Sequence, residues 1–91
     1  MADITVSLVT DKDPLQFSVT VREARSQSEH EVTASRADVA RLSKSGEKPE
    51  DFIARIFDFL LAREPKESVL ASFDLSVVWR YFPEFENEIS S

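Results

Sequence analysis

PEDFIARIFDFLLAREPKESVLASFDLSVVWRYFP, residues 49–83, is the stretch on which the fold turns. Phe52, Ile53, Ile56, Phe57, Leu60 and Leu61 follow i, i+3, i+4 and i+7 spacings, the apolar stripe of an amphipathic helix. Pro49 suits the first helical position, where its missing N–H would have no partner. Glu50 and Asp51 then place negative charge at the positive end of the helix dipole. Asp51, Arg55 and Asp58 mark the wet face. Phe59 falls off the tightest stripe, so it either widens the core face or is exposed. Pro65 ends this helix.

Beyond Pro65 the pattern predicts a short helical segment over Lys66–Phe73, with Val69, Leu70 and Phe73 apolar. Asp74 is placed to cap a further helix whose Leu75, Val78, Trp79 and Phe82 again stand at i, i+3, i+4 and i+7. LSVVWRYF is also rich in strand-favouring residues, but strict alternation fails at Val77-Val78. Pro83 interrupts the helix, and EFENEIS is expected to add one acidic turn.

Upstream, the periodicity changes from helical to two. Ile4, Val6 and Leu8 share one side of a first strand. Leu15, Phe17, Val19 and Val21 share one face of a second, with Gln16, Ser18, Thr20 and Arg22 on the other. Glu29–Thr33 returns as a third strand, His30 and Val32 facing one way. The connections are too short for parallel crossovers, so an antiparallel meander is expected. Ser35 has the chemistry of an N-cap, its hydroxyl accepting from the amide of Asp38. The following helix turns Val39 and Leu42 inward and is expected to stop near Gly46, the single glycine. The fold expected is α+β: one domain of residues 1–91, with a three-stranded antiparallel sheet over about 3–34 and three or four helices over about 35–89 packed on one of its faces.

With 42% hydrophobic and 31% charged residues the chain is globular rather than disordered. It has no cysteine, which points to a reducing compartment. MADITVSLVT has neither a basic region nor a long apolar run, so no signal peptide is expected, and no apolar run reaches the length of a membrane span. The expected location is the cytoplasm. Residues 1–46 carry six Lys/Arg against seven Asp/Glu, whereas residues 47–91 carry five against ten. The net −6 therefore lies mostly in the helical half. That half is a poor surface for phosphate backbones or anionic membranes, both of which need clustered cations.

No constellation for catalysis is present. His30 is the only histidine, no serine sits in a GxSxG elbow, and one glycine excludes the usual glycine-rich phosphate loops. The reading is therefore of a protein that is not an enzyme, with no catalytic residue, cofactor or metal. His30 reads as a strand side chain beside Val32, and Glu84, Glu86 and Glu88 as a solvated acidic terminus. Arg55, Arg63, Lys66 and Arg80 compose the alternative, a nucleic-acid face on paired helices, against which Asp58, Glu64, Glu67 and Asp74 count.

Aromatic residues are the most informative feature. Phe52, Phe57, Phe59, Phe73, Trp79, Tyr81, Phe82 and Phe85 crowd into a short span. A sheet of three strands offers about ten inward side chains, too few to cover them all. Trp79, Tyr81 and Phe85, with Phe59, are therefore expected to leave an aromatic surface for an unidentified protein partner or for self-association. HEVTAS (30–35) and FDFLLAREPKESVLASFDLSVVWRYFPEFENEI (57–89) together resemble a family of short uncharacterised bacterial proteins that share REPKES, FDLS and RYFPE blocks. The resemblance implies no established activity and carries over no functional residue.

Overall fold

In the computed structural model, which describes residues 2–90, the period-two segments form β1 (Asp3–Thr10), β2 (Leu15–Glu23) and β3 (Ser26–Ala34). β1 and β2 run antiparallel with Ile4 opposite Val21, Val6 opposite Val19 and Leu8 opposite Phe17. The register shifts by one residue at Val9. β2 and β3 are antiparallel throughout, from Leu15 opposite Ala34 to Glu23 opposite Ser26. Ala24, in the two-residue turn between them, takes a left-handed φ of 48°, and the Asp13–Pro14 peptide is cis.

Alternation does what the sequence requires of it. Leu15, Phe17, Val19, Val21, His30, Val32 and Ala34 are buried on one face, while Gln16, Arg22, Glu29 and Glu31 are exposed on the other. Opposite residues of neighbouring strands share a face, so the registers carry the apolar face across to Ile4, Val6 and Leu8.

α1 (Arg36–Leu42) starts as expected, with the Ser35 hydroxyl accepting from the Asp38 amide at 3.1 Å. It ends at Leu42, short of Gly46. Gly46 instead turns the chain toward the next helix with a φ of 78°, in a turn closed by the Glu47 amide donating to the Lys44 carbonyl. α2 (Pro49–Leu61) has the expected Pro49 start and buries Phe52, Ile53, Ile56, Phe57, Phe59 and Leu60. Burying each of these large side chains contributes about 1.5–3 kcal/mol, making α2 the main closure of the sheet's apolar face.

Two expectations are corrected beyond Pro65. The segment Lys66–Phe73 is not helical as a whole: a single 3₁₀ turn at Lys66–Ser68 leads into a short strand, β4 (Ser72–Asp74). The sheet therefore has four strands rather than three, ordered β1-β2-β3-β4, and is mixed, because β4 runs parallel to β3 with Phe73 beside Val32. The physical reason is the length of chain between them. Residues 35–71 hold α1 and α2 and are ample for a crossover, which the tight turns between the first three strands are not. Asp74 lies in β4; its carboxylate accepts from the Ser76 amide at 3.0 Å, just before α3 (Ser76–Tyr81). α4 (Phe85–Ser90) completes four helices. Among the described residues, no helix is long and apolar enough to cross a membrane.

Candidate functional site

The aromatic excess is largely absorbed by α4. Phe85 is 0% exposed and Ile89 is buried with it. Phe85 meets Phe59 with ring centroids 5.1 Å apart and Trp79 at 5.6 Å, both edge to face. Phe59 is 8% exposed, with Phe82 edge-on at 5.6 Å and the Arg63 guanidinium 3.7 Å above its ring. Phe59 and Phe85 therefore form core rather than the expected partner-binding surface. The correction has a clear cause: α4 folds back and supplies the cover that a three-stranded sheet lacked. Trp79 is half-buried against Phe85, with Arg41 5.6 Å from its ring.

Glu84, Glu86 and Glu88 are solvent-exposed as expected, and each also pairs with an arginine from elsewhere in the chain. Arg41 pairs with Glu86 at 2.7 Å, and Arg63 pairs with Glu84 at 3.3 Å and with Glu88. Arg55 donates to the Ile89 carbonyl, and the hydrogen bond from Arg41 holds the Glu86 carboxyl below its usual pKa.

Tyr81 is the exception among the four expected residues. At 69% exposure it stands on the rim of an apolar groove. It is lined by Leu60 of α2 and Glu64 just beyond it, by Phe73 of β4, by Val77, Val78 and Phe82 from α3 and its end, and by Ser68, Val69 and Leu70 from the segment before β4. Leu70 is 50% exposed, so two of the three exposed large apolar side chains among the described residues flank this groove. Its volume of about 230 Å³ falls below the ~300–1,000 Å³ usual for cofactor and small-molecule pockets. Glu64 is the only charged residue of the lining and makes no ion pair among the described residues.

Sequence reasoning missed Leu70, Val77 and Phe82 as groove residues. One signal was available: Val77 and Tyr81 stand at i and i+4, a second apolar flank beside the stripe of Leu75, Val78, Trp79 and Phe82.

The floor is positioned by buried polar contacts. The Leu70 carbonyl can only accept, so Nδ1 of buried His30 carries a proton and donates to it at 2.7 Å. Nε2 lies 2.8 Å from the Ser28 hydroxyl, within hydrogen-bond distance, and the ring is buried. The His30 ring lies 5.4 Å from that of Phe57, which in turn lies 6.1 Å from Phe73. Thr33 donates to the Asp74 carboxylate at 2.7 Å. Burial, the largest single influence on Asp74, pushes its pKa up. Hydrogen bonds from Thr33 and Ser76 outweigh it and hold the carboxyl below its ordinary value.

The four cations of the nucleic-acid alternative are not assembled into a free basic face. Arg55 grips Glu47 with two nitrogens at 2.8 and 2.9 Å, and these bonds lower the Glu47 pKa against the opposing effect of burial. Arg63 is paired within α4's anchor. The Lys66 side chain is 5% exposed, with Glu67 at 2.6 Å and Glu23 at 3.5 Å. Only Arg80 lacks a carboxylate partner among the described residues. Among those residues, too, no three or more His, Cys, Asp or Glu side chains are grouped to hold a metal ion. No family model, no curated protein and no solved structure matches the chain.

Proposed function

We propose that the chain is a small cytoplasmic interaction module that binds a protein partner in the groove between the end of α2 and α3, and that it performs no chemistry. The observation that carries the reading is that two exposed large apolar residues, Tyr81 and Leu70, line one mostly apolar groove. Tyrosine is a typical interface anchor, combining large contact area with little conformational entropy to lose. The unpaired Glu64 adds a preference: an apolar side chain flanked by Lys or Arg fits better than one flanked by acid. His30 is committed to Ser28 and Leu70, which favours binding over catalysis. Glu64, Ser68, Phe73, Tyr81 and Phe82 of the groove fall inside the REPKES, FDLS and RYFPE blocks, so any short bacterial protein sharing those blocks would carry the same groove residues.

The test is comparative capture from the native cell. Wild type and the Tyr81→Arg and Leu70→Glu chains are immobilised in parallel. A protein retained by wild type and lost from both folded variants supports the groove. Identical capture profiles for all three would remove it.

A further inference from the structure

The outer edge of β1 is a second unpartnered feature, on the opposite side of the sheet from the groove. β1 pairs only with β2, so half of its backbone N–H and C=O groups point outward. Among the described residues, no backbone or side-chain hydrogen bond reaches those groups from elsewhere in the chain. The strand has little of the usual edge protection. Asp3 is its only charge, it contains no Lys or Pro, and its one irregularity comes after Leu8. Ile4, Val6 and Leu8 pack on the core yet stay half-exposed along this edge.

The pattern of the strand selects the occupant. Ile4-Thr5-Val6-Ser7-Leu8 reads apolar-polar-apolar-polar-apolar in both directions, with Val6 at its centre. Such a segment is complementary to itself about a two-fold axis. We propose that β1 pairs antiparallel with β1 of a second copy of this chain, Val6 against the partner's Val6. Ile4 then lies opposite the partner's Leu8, and Thr5 opposite the partner's Ser7. All three half-exposed aliphatic side chains meet aliphatic neighbours on the inner face, and hydroxyls meet hydroxyls on the wet face.

Charge supports this register. Asp3 falls opposite the partner's Val9, and the two Asp3 carboxylates sit at opposite ends of the paired segment. A parallel arrangement would put them side by side, which is destabilising. The product is one eight-stranded sheet. At ~4.8 Å per strand its two β4 edges, each bordering a groove, are roughly 34 Å apart. A strand pair of this length is a small interface, and a weak dimer, with a constant on the order of micromolar, is expected. This dimer does not depend on what the groove binds.

Sedimentation equilibrium of the full chain, from micromolar to near-millimolar concentration, tests the proposal. Wild type dimerises with a micromolar constant. Thr5 and Ser7 are exposed, so T5K/S7K folds as wild type by circular dichroism. The introduced lysines oppose each other across the axis and weaken the dimer by about tenfold or more. T5E/S7E weakens it likewise, and an equimolar mixture of the two variants restores dimer. Wild type that stays monomeric over the whole range overturns the proposal, as does a T5K/S7K chain that dimerises as well as wild type.

Discussion

At one edge of the sheet, β1 runs for eight residues with its outer backbone groups unanswered; at the other, β4 runs for three and is fastened from both ends. Beside β4, the Glu31 amide donates to the Ala71 carbonyl and the Leu75 amide to the Thr33 carbonyl, each at 2.8 Å. Side chains repeat the fastening: His30 to the Leu70 carbonyl and Thr33 to Asp74, at 2.7 Å each. All of these bonds join β4 and its flanking residues to β3 on the inner side; along β1 the side-chain counterpart is a single exposed bond, Thr10 to Gln16 of β2. The contrast separates two tasks. β4 is short and tied tightly to its neighbour because it lines the groove, where a slack strand would blur the site. The β1 edge is left open, and what it offers is strand pairing.

Loosening the attachment of β4 has the largest expected effects. Phe57 is fully buried between His30 and Phe73, so Phe57→Ala removes the support of β4 and should cost about 3–5 kcal/mol. Urea unfolding checks this; a loss below about 1 kcal/mol would show that β4 does not lean on α2. His30→Leu keeps apolar bulk but strands the Leu70 carbonyl, with an expected loss of about 1–3 kcal/mol. Hydrogen exchange should show the Glu31 and Leu75 amides opening faster than the β1–β2 ladder. Uniform acceleration would mean that the contact is not local.

Thr33→Val is a smaller perturbation of the same edge, costing about 1 kcal/mol at neutral pH through the lost Asp74 bond. Its pH dependence has a fixed sign. The folded Asp74 carboxyl has a lowered pKa, so its contribution is fully present above the unfolded value and is lost as pH falls through the folded one. Wild type and Thr33→Val should therefore converge in stability below the usual Asp range. A difference that persists unchanged in acid contradicts the assigned role. Smallest of all is Tyr81→Ala, within about 0.5 kcal/mol of wild-type stability because the ring is exposed, yet with partner capture lost.

The same contrast explains what the sequence revealed. β1, β2 and most of β3 were legible because one buried face and one wet face impose period two on Ile4–Leu8, Leu15–Val21 and Glu29–Thr33; β3 begins earlier, at Ser26, where Ser26-Gln27-Ser28 has no apolar residue to show a period. α2 was legible from its stripe and Pro49. β4 was not, because Ser72-Phe73-Asp74 has one apolar residue and too few positions to show any period. Its strand character comes from a parallel neighbour forty residues away in sequence, Val32 beside Phe73. Phe85 was misplaced for a related reason. Its burial comes from packing on Phe59 and Trp79, while Arg41 of α1 and Arg63 just past α2 pair with Glu84, Glu86 and Glu88, a non-local match that a charge run does not display. Tyr81 alone was placed correctly on the surface, while its groove neighbours Leu70 and Phe82 became visible only once β4 and α3 were set side by side.

Amide exchange measured across a range of protein concentration tests the difference between the edges most directly. The account predicts that the outward amides of Asp3–Thr10 become protected as concentration rises, while the Glu31 and Leu75 amides are protected at every concentration. β1 amides whose exchange is independent of concentration, or protection that rises at Leu70 and Tyr81 instead, would contradict it.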